Sequence, residues 1–211
     1  MGYRRPHGLA SRLHLGAEYH RERAESAEVR KALTPEVSFY DGGGSIMKKT
    51  YQVQHIEHVT RLPFEEVIQA FERAVGSVEG VYDDLVAMSH DTAEFERLVR
   101  EREGSSGFMR FFTADHGVWG GLEGMDFRAR LYIIGNPLIA MTMLRHEVAA
   151  GLNVPVRIMI YEDVGGGTTR FVYDLPSSLM SVLGNEQVMN AARKLDEKLI
   201  ALAVDVTRVE P

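Results

Sequence analysis

The chain has 211 residues, 45% of them hydrophobic and 26% charged, with a formal net charge of −6 and no cysteine. That length and balance predict a soluble globular domain with a core of its own plus an appendage. Lack of cysteine excludes disulfides, thiolate nucleophiles and cysteine-ligated metal centres, and the acidic balance, with no basic cluster beyond Met47-Lys48-Lys49 in the main body, argues against a nucleic-acid partner.

No segment approaches the roughly 18 consecutive apolar residues of a membrane span. The N-terminal "RRPHGLASRLHLG" has no apolar signal core. No membrane partner and a cytoplasmic location are therefore expected.

Residues 1–46 read differently from the rest. Seven Lys/Arg against six Asp/Glu, three histidines and few large apolar side chains leave little to bury, and the stretch ends in the glycine-rich "YDGGGSIM". Ala17 to Leu33 suits at most a transient polar helix. Met47 is expected to open the domain proper, with 1–46 a disordered or misassigned extension; Glu18, Glu22, Glu25 and Glu28 make it too acidic for a targeting peptide. The boundaries read from sequence are thus 1–46 and 47–211.

"YQVQHIEHV" from Tyr51 alternates as a strand, with His55, Glu57 and Val59 on one side and Ile56 and His58 on the other. Pro63 opens a helix carrying Phe64, Val67, Ile68, Phe71 and Val75 at helical spacing, stopped by Gly76. Asp91-Thr92 caps a charged helix that ends at "GSSG" (104–107). Strands follow over "FMRFFTADHGVW" (108–119) and "DFRARLYIIG" (126–135). Asn136-Pro137 caps a further helix, expected to run to Gly151. "VPVRIMIYED" and "TTRFVYD" form a hairpin around Gly165–Gly167. A long amphipathic helix then begins at Asn185 or Glu186, with Val188, Ala192, Leu195, Leu199 and Leu202 on one face. The order β-α-(α)-β-β-α-β-β-α predicts an α+β fold: a mostly antiparallel sheet with helices on one face.

Chemistry has few anchors in this pattern. His55 and His58 fall on opposite faces of their strand and fail as a metal pair. Asp115-His116 meets the same objection in a strand, while Asp-x-Gly is equally good turn chemistry that would consume Asp115. If the strand runs on, His116 shares a side with Phe112 and Val118 and needs a partner from elsewhere; His146 or Glu147 is the leading candidate. His116, His146 and Glu147 are therefore the catalytic candidates. His146-Glu147 lacks the second histidine of an HExxH zinc motif, since position 150 is Ala150. Tyr161, Glu162, Asp163 and Asp174 could gather at one hairpin end beside Ser177 and Ser178, and paired carboxylates could bind a cation or split their pKa values. Trp119, among glycines, could line a pocket or an interface. Together with Trp119, these six are the ligand-binding candidates. Gly165–Gly167 joins two strands and is no phosphate loop. No cofactor and no metal ligand set is expected.

"LYIIGNPLIAMTMLRHEVAAGLNVPVRIMIYEDVGGGTTRFVYDLPSSL" resembles the domain of unknown function 302 family. There, a strand ending in Gly-Asn-Pro enters a helix, an Arg-containing strand ends in Tyr-Glu-Asp, and a second strand leads to Tyr-Asp-x-Pro-Ser-Ser. The resemblance covers 131–202 best. It implies a compact α+β domain with a tendency to pair as homodimers, and no particular reaction. Three readings follow: a dimeric protein binding a small, apolar ligand or a protein partner without catalysis; a small-metabolite enzyme with His116 as general acid/base; and a metal-binding stress-related protein.

Overall fold

The computed structural model describes residues 36–39, 45–87 and 90–209, so the expected helix at 17–33 and the tail histidines His7, His14 and His20 lie outside the described residues. The chain divides into two units, Met1–Tyr51 and Gln52–Pro211. In the first, strands β1 (Glu36–Phe39) and β2 (Ser45–Lys48) pair antiparallel, with Val37 opposite Met47. A boundary at Met47 would thus cut through β2.

The second unit is an α+β domain. Its strands β3 (His55–Thr60), β4 (Gly76–Ser77), β5 (Met109–Asp115), β6 (Ala129–Gly135), β7 (Val156–Glu162) and β8 (Thr169–Asp174) form one sheet in the order β3-β8-β7-β6-β5-β4. Neighbours run antiparallel except β4 and β5, which are parallel. The helices are α1 (Phe64–Ala74), α2 (Tyr82–Ala87), α3 (Thr92–Arg102), α4 (His116–Leu122), α5 (Pro137–Leu144), α6 (Pro176–Met180) and α7 (Glu186–Thr207).

Period-two alternation decides the sheet's faces. Tyr132, Ile134, Ile158, Ile160, Phe171 and Tyr173 point to one face and are buried. Val67, Ile68 and Phe71 of α1 and Val188, Ala192, Leu195, Leu199 and Leu202 of α7 lie against them as one core. Phe71 is its centre, with its ring 4.6 Å from that of Tyr132 and 5.9 Å from that of Phe171. A smaller apolar cluster, Val78, Leu98, Val99 and Met109, sits under α2 and α3. The opposite face carries His55, Glu57, Val59, Arg157 and Phe112 in exposed positions.

Two boundaries differ from expectation. β5 stops at Asp115, and "HGVWGGL" is the short helix α4, not a continuing strand; Asp115 Oδ1 accepts from the Val118 N–H at 3.2 Å and so caps it. His116 therefore does not share a strand face with Phe112 and Val118. The helix after Asn136-Pro137 ends at Leu144 and does not reach Gly151. Glu147 adopts an extended backbone and caps a separate 3₁₀ segment, Val148–Asn153, by accepting from the Ala149 N–H.

His58, buried among Phe171 and Tyr173, shows what the core does to a titratable group. Burial pushes its pKa below the ordinary 6.5, against a backbone hydrogen bond to Val209 that raises it. Below that ordinary value the unfolded chain takes up a proton that the folded chain resists, so stability falls as pH drops through this range. Urea titrations at pH 7.5 and pH 5 are expected to show a loss for the wild type that is smaller in His58→Phe; equal losses would contradict this account.

Candidate functional site

Asp115 and His116 do not form a pair. The Asp115 carboxylate, besides capping α4, accepts from Arg130 Nε at 3.0 Å. Burial raises its pKa, but the hydrogen bond from Arg130 and those from the Val118 and Gly117 amides outweigh this and hold it below 3.8. The His116 ring meets Trp119 edge-on with centroids 4.8 Å apart, and among the described residues it makes no hydrogen bond or ion pair. Trp119 itself is exposed on α4.

His146 and Glu147 lie at the other end of the sheet. Antiparallel β5 and β6 place Asp115 opposite Arg130 and Met109 opposite Gly135, the residue that leads into α5. Seven residues of β5 therefore separate His116 from the segment that carries His146 and Glu147. The carboxylate cluster expected at the hairpin end is likewise divided. Glu162 and Asp163 sit at the β7–β8 turn, but Asp174 ends β8 on the far side, opposite His55. The reason is register: Glu162 pairs with Thr169, so a six-residue strand lies between the turn and Asp174.

Each half is already neutralised. Arg128 donates to both Glu162 oxygens, Nε at 2.8 Å and Nη2 at 2.6 Å. Arg170 donates to Asp163 at 2.7 Å and to Glu57 at 2.6 Å, and Thr168 also donates to Asp163. Tyr161 lies beside this network; burial and the nearby Glu57 raise its pKa. Asp174 holds His55 Nδ1 at 2.7 Å. Ser178 Oγ accepts from the Gln54 N–H and donates to the Leu175 carbonyl, while the Ser177 N–H donates to the buried Asp196. These serines fasten α6 to β3 and α7. Among the described residues, no group of three or more His, Asp or Glu is placed to hold a metal ion, and no helix is long and apolar enough to cross a membrane.

A cavity of about 420 Å³ lies elsewhere, where β6 passes into α5. Four sequence features build it. Gly135 lets its neighbours close in: a Cβ there would meet Pro155 at 3.2 Å and the Phe111 ring at 3.4 Å, so both pack directly on its backbone. The β5–β6 register skips a residue between Arg110 and Phe112, a bulge that takes Phe111 out of the ladder. Phe111 lines the cavity, and its ring meets Tyr82 of α2 edge-on at 5.1 Å. Phe95 of α3, Phe108, Ile139, Ala140, Met141 and Leu144 of α5, Val154, Pro155 and Leu195 complete an apolar lining.

Asn136 is the polar residue at the cavity's edge, and its side chain is fully engaged. Its Oδ1 accepts from the Leu138 N–H at 2.9 Å; its Nδ2 donates to Glu103 at 2.5 Å and to the Gly107 carbonyl at 3.0 Å. A ligand inside would thus be held by apolar contact, with the Tyr82 hydroxyl as the lining's one titratable group. Beside this cavity, and sharing Asn136, Ile139 and Leu195 with it, a groove of about 620 Å³ runs between α3, α5 and α7. His146 lines it, and is the one candidate from the sequence that borders either space. The cavity residues escaped sequence reasoning because they come from seven separate helices and strands. The local signal was Gly135-Asn136-Pro137, a strand-to-helix junction with an unusual glycine.

Comparison with known proteins agrees with the architecture. A family model, Domain of unknown function DUF302, matches residues 86–205. The crystal structure of an uncharacterized conserved protein DUF302 from Bacillus stearothermophilus superposes with a TM-score of 0.51 at 18% identity, covering 73% of this chain and 98% of that one. At that identity the likeness is one of fold. No curated protein matches the chain.

Asn136→Ala removes the α5 cap and leaves the partly buried Glu103 carboxylate without its amide donor. A loss of about 1–3 kcal/mol in urea unfolding is expected. A change below about 0.5 kcal/mol, the floor for cap removal, would show that this side chain does not hold the cavity wall.

Proposed function

The chain belongs to the DUF302 family, and on that premise we propose that it is a homodimeric protein that binds a small apolar ligand in the cavity at the β6–α5 junction. The observation that carries this reading is the cavity's lining: about 420 Å³ bounded almost wholly by aromatic and aliphatic side chains. That volume falls within the roughly 300–1,000 Å³ of ordinary small-molecule sites. Its rim lies on the ends of rigid elements, with the one buried amide already satisfied, so an apolar guest meets no stranded polar group. The lining carries no histidine, carboxylate or lysine, which favours binding over catalysis.

Ala140 of α5 faces this space. Ala140→Trp is expected to fill it and weaken binding of a neutral apolar probe, 1-decanol, at least about tenfold by calorimetry, a difference of about 1.4 kcal/mol. Wild-type binding by a variant with an unchanged circular dichroism spectrum would refute the cavity as the site.

Pairing is supported by the sheet's second face, which no helix of the main core covers. Leu131, Ile133, Met159 and Val172 lie there in register across three strands, flanked by the exposed Val59 and Phe112. Apolar side chains on an uncovered sheet face, rimmed by His55, Glu57, Arg157 and Arg170, suit a protein interface. Light scattering is expected to give twice the chain mass at micromolar concentration and a lower mass for Phe112→Glu. A wild-type monomer at that concentration would overturn the dimer.

A further inference from the structure

The polar groove beside the cavity specifies the ligand's other end. Its charged lining is Arg100, Lys194 and Lys198 against a single carboxylate, Glu103, in a chain whose net charge is −6. Glu103 is already engaged, accepting from Asn136 Nδ2 at 2.5 Å and lying 4.0 Å from Arg100. Lys194 and Lys198 stand one turn apart on α7 and have no carboxylate within ion-pair distance among the described residues. Cations at a concave surface with no carboxylate partner are receptive to an anion, and Lys198 has only the Phe108 ring against it.

The placement of Lys198 ties this charge to the cavity. Its ammonium lies 5.7 Å from the centre of the Phe108 ring, and Phe108 is part of the apolar lining. Leu195, between the two lysines in sequence, borders both spaces, as do Ile139 and Asn136. Cavity and groove therefore adjoin along a shared rim of Asn136, Ile139 and Leu195, a geometry suited to one molecule with its tail on one side of that rim and a charged head on the other. Thr142 and Asn190 add hydrogen-bonding groups on the groove side.

We propose that the ligand is an amphipathic carboxylate of the fatty-acid class, its tail in the cavity and its carboxylate at Lys194 and Lys198. This rests on the cavity reading above and adds the head-group chemistry. The probes are decanoate and 1-decanol, which share a tail and differ in the head, titrated into the full chain by calorimetry. Decanoate is expected to bind at least about tenfold more tightly than decanol, since each charge-assisted hydrogen bond exceeds a neutral one. K194E/K198E should abolish that preference; because Lys198 also stands over the Phe108 ring, decanol is titrated into the same variant and the ratio of the two affinities is the readout.

Equal affinity for the two probes, or an unchanged decanoate preference in K194E/K198E, would overturn the head-group assignment and leave the cavity reading standing. Failure of both probes to bind the wild type would overturn both. Binding of both probes undiminished in Ala140→Trp would place them outside the cavity and refute the assignment as well.

Discussion

One buried amide holds the β6–α5 end of this domain together. Asn136 follows β6, caps α5 through the Leu138 N–H, and reaches with its two N–H groups to Glu103 at the end of α3 and to the Gly107 carbonyl just before β5. It is 6% exposed, so each of these bonds is made away from water, where an unmade one is costly. The same side chain thereby ties together three walls of one space: α5, the charged helix α3, and Phe108 with the strand β5 that carries Phe111. Cavity and groove are defined relative to each other because they share this residue.

The remainder of the domain supplies rigidity on which that junction depends. The core face buries Tyr132 and Phe171 against Phe71, and α7 spans the layer with five aliphatic residues in register. At the β4–β5–β6 edge, Arg110 and Arg130 reach Glu72 at 3.1 and 3.7 Å, and the Tyr132 hydroxyl donates to the same carboxylate at 3.0 Å. Arg110 also lies 3.0 Å from Glu79, which accepts from Thr113. Burial and the neighbouring Glu72 raise the Tyr132 pKa, although its Arg130 contact opposes this. These half-buried ions tie α1 and the β4–α2 loop to the sheet. They pair with one another, although Arg110 Nε, buried 3.0 Å from Glu79, makes no well-directed hydrogen bond.

The same ion pairing organises the acidic and histidine positions that stand out in the sequence. Tyr161-Glu162-Asp163 and Asp174 look like an acidic site as a string. In space the acids are divided between two ends of a hairpin, and each meets its own arginine or histidine. Asp115-His116 looks like a dyad, but Asp115 is consumed by a helix cap and Arg130. Conversely Lys194 and Lys198 look like an ordinary solvated face of a long helix. Only the proximity of Phe108 and the scarcity of carboxylates opposite them set them apart.

The periodicity of the chain by itself determined the α+β class, the 156–174 hairpin, the Asn136 cap, the alternation in β3 and the buried stripe of α7, because each follows from local dihedral preference and the burial of one face. It could not determine where β5 ends: "TADHGVW" alternates well enough for a strand, and the competing choice was made by Arg130 and the capping bond to Val118. Nor could it place the cavity, which needs a bulge at Phe111, a missing side chain at Gly135 and the docking of α2 and α3 over them. Those are contacts between residues far apart in the chain, and local pattern carries no information about which of its faces will meet.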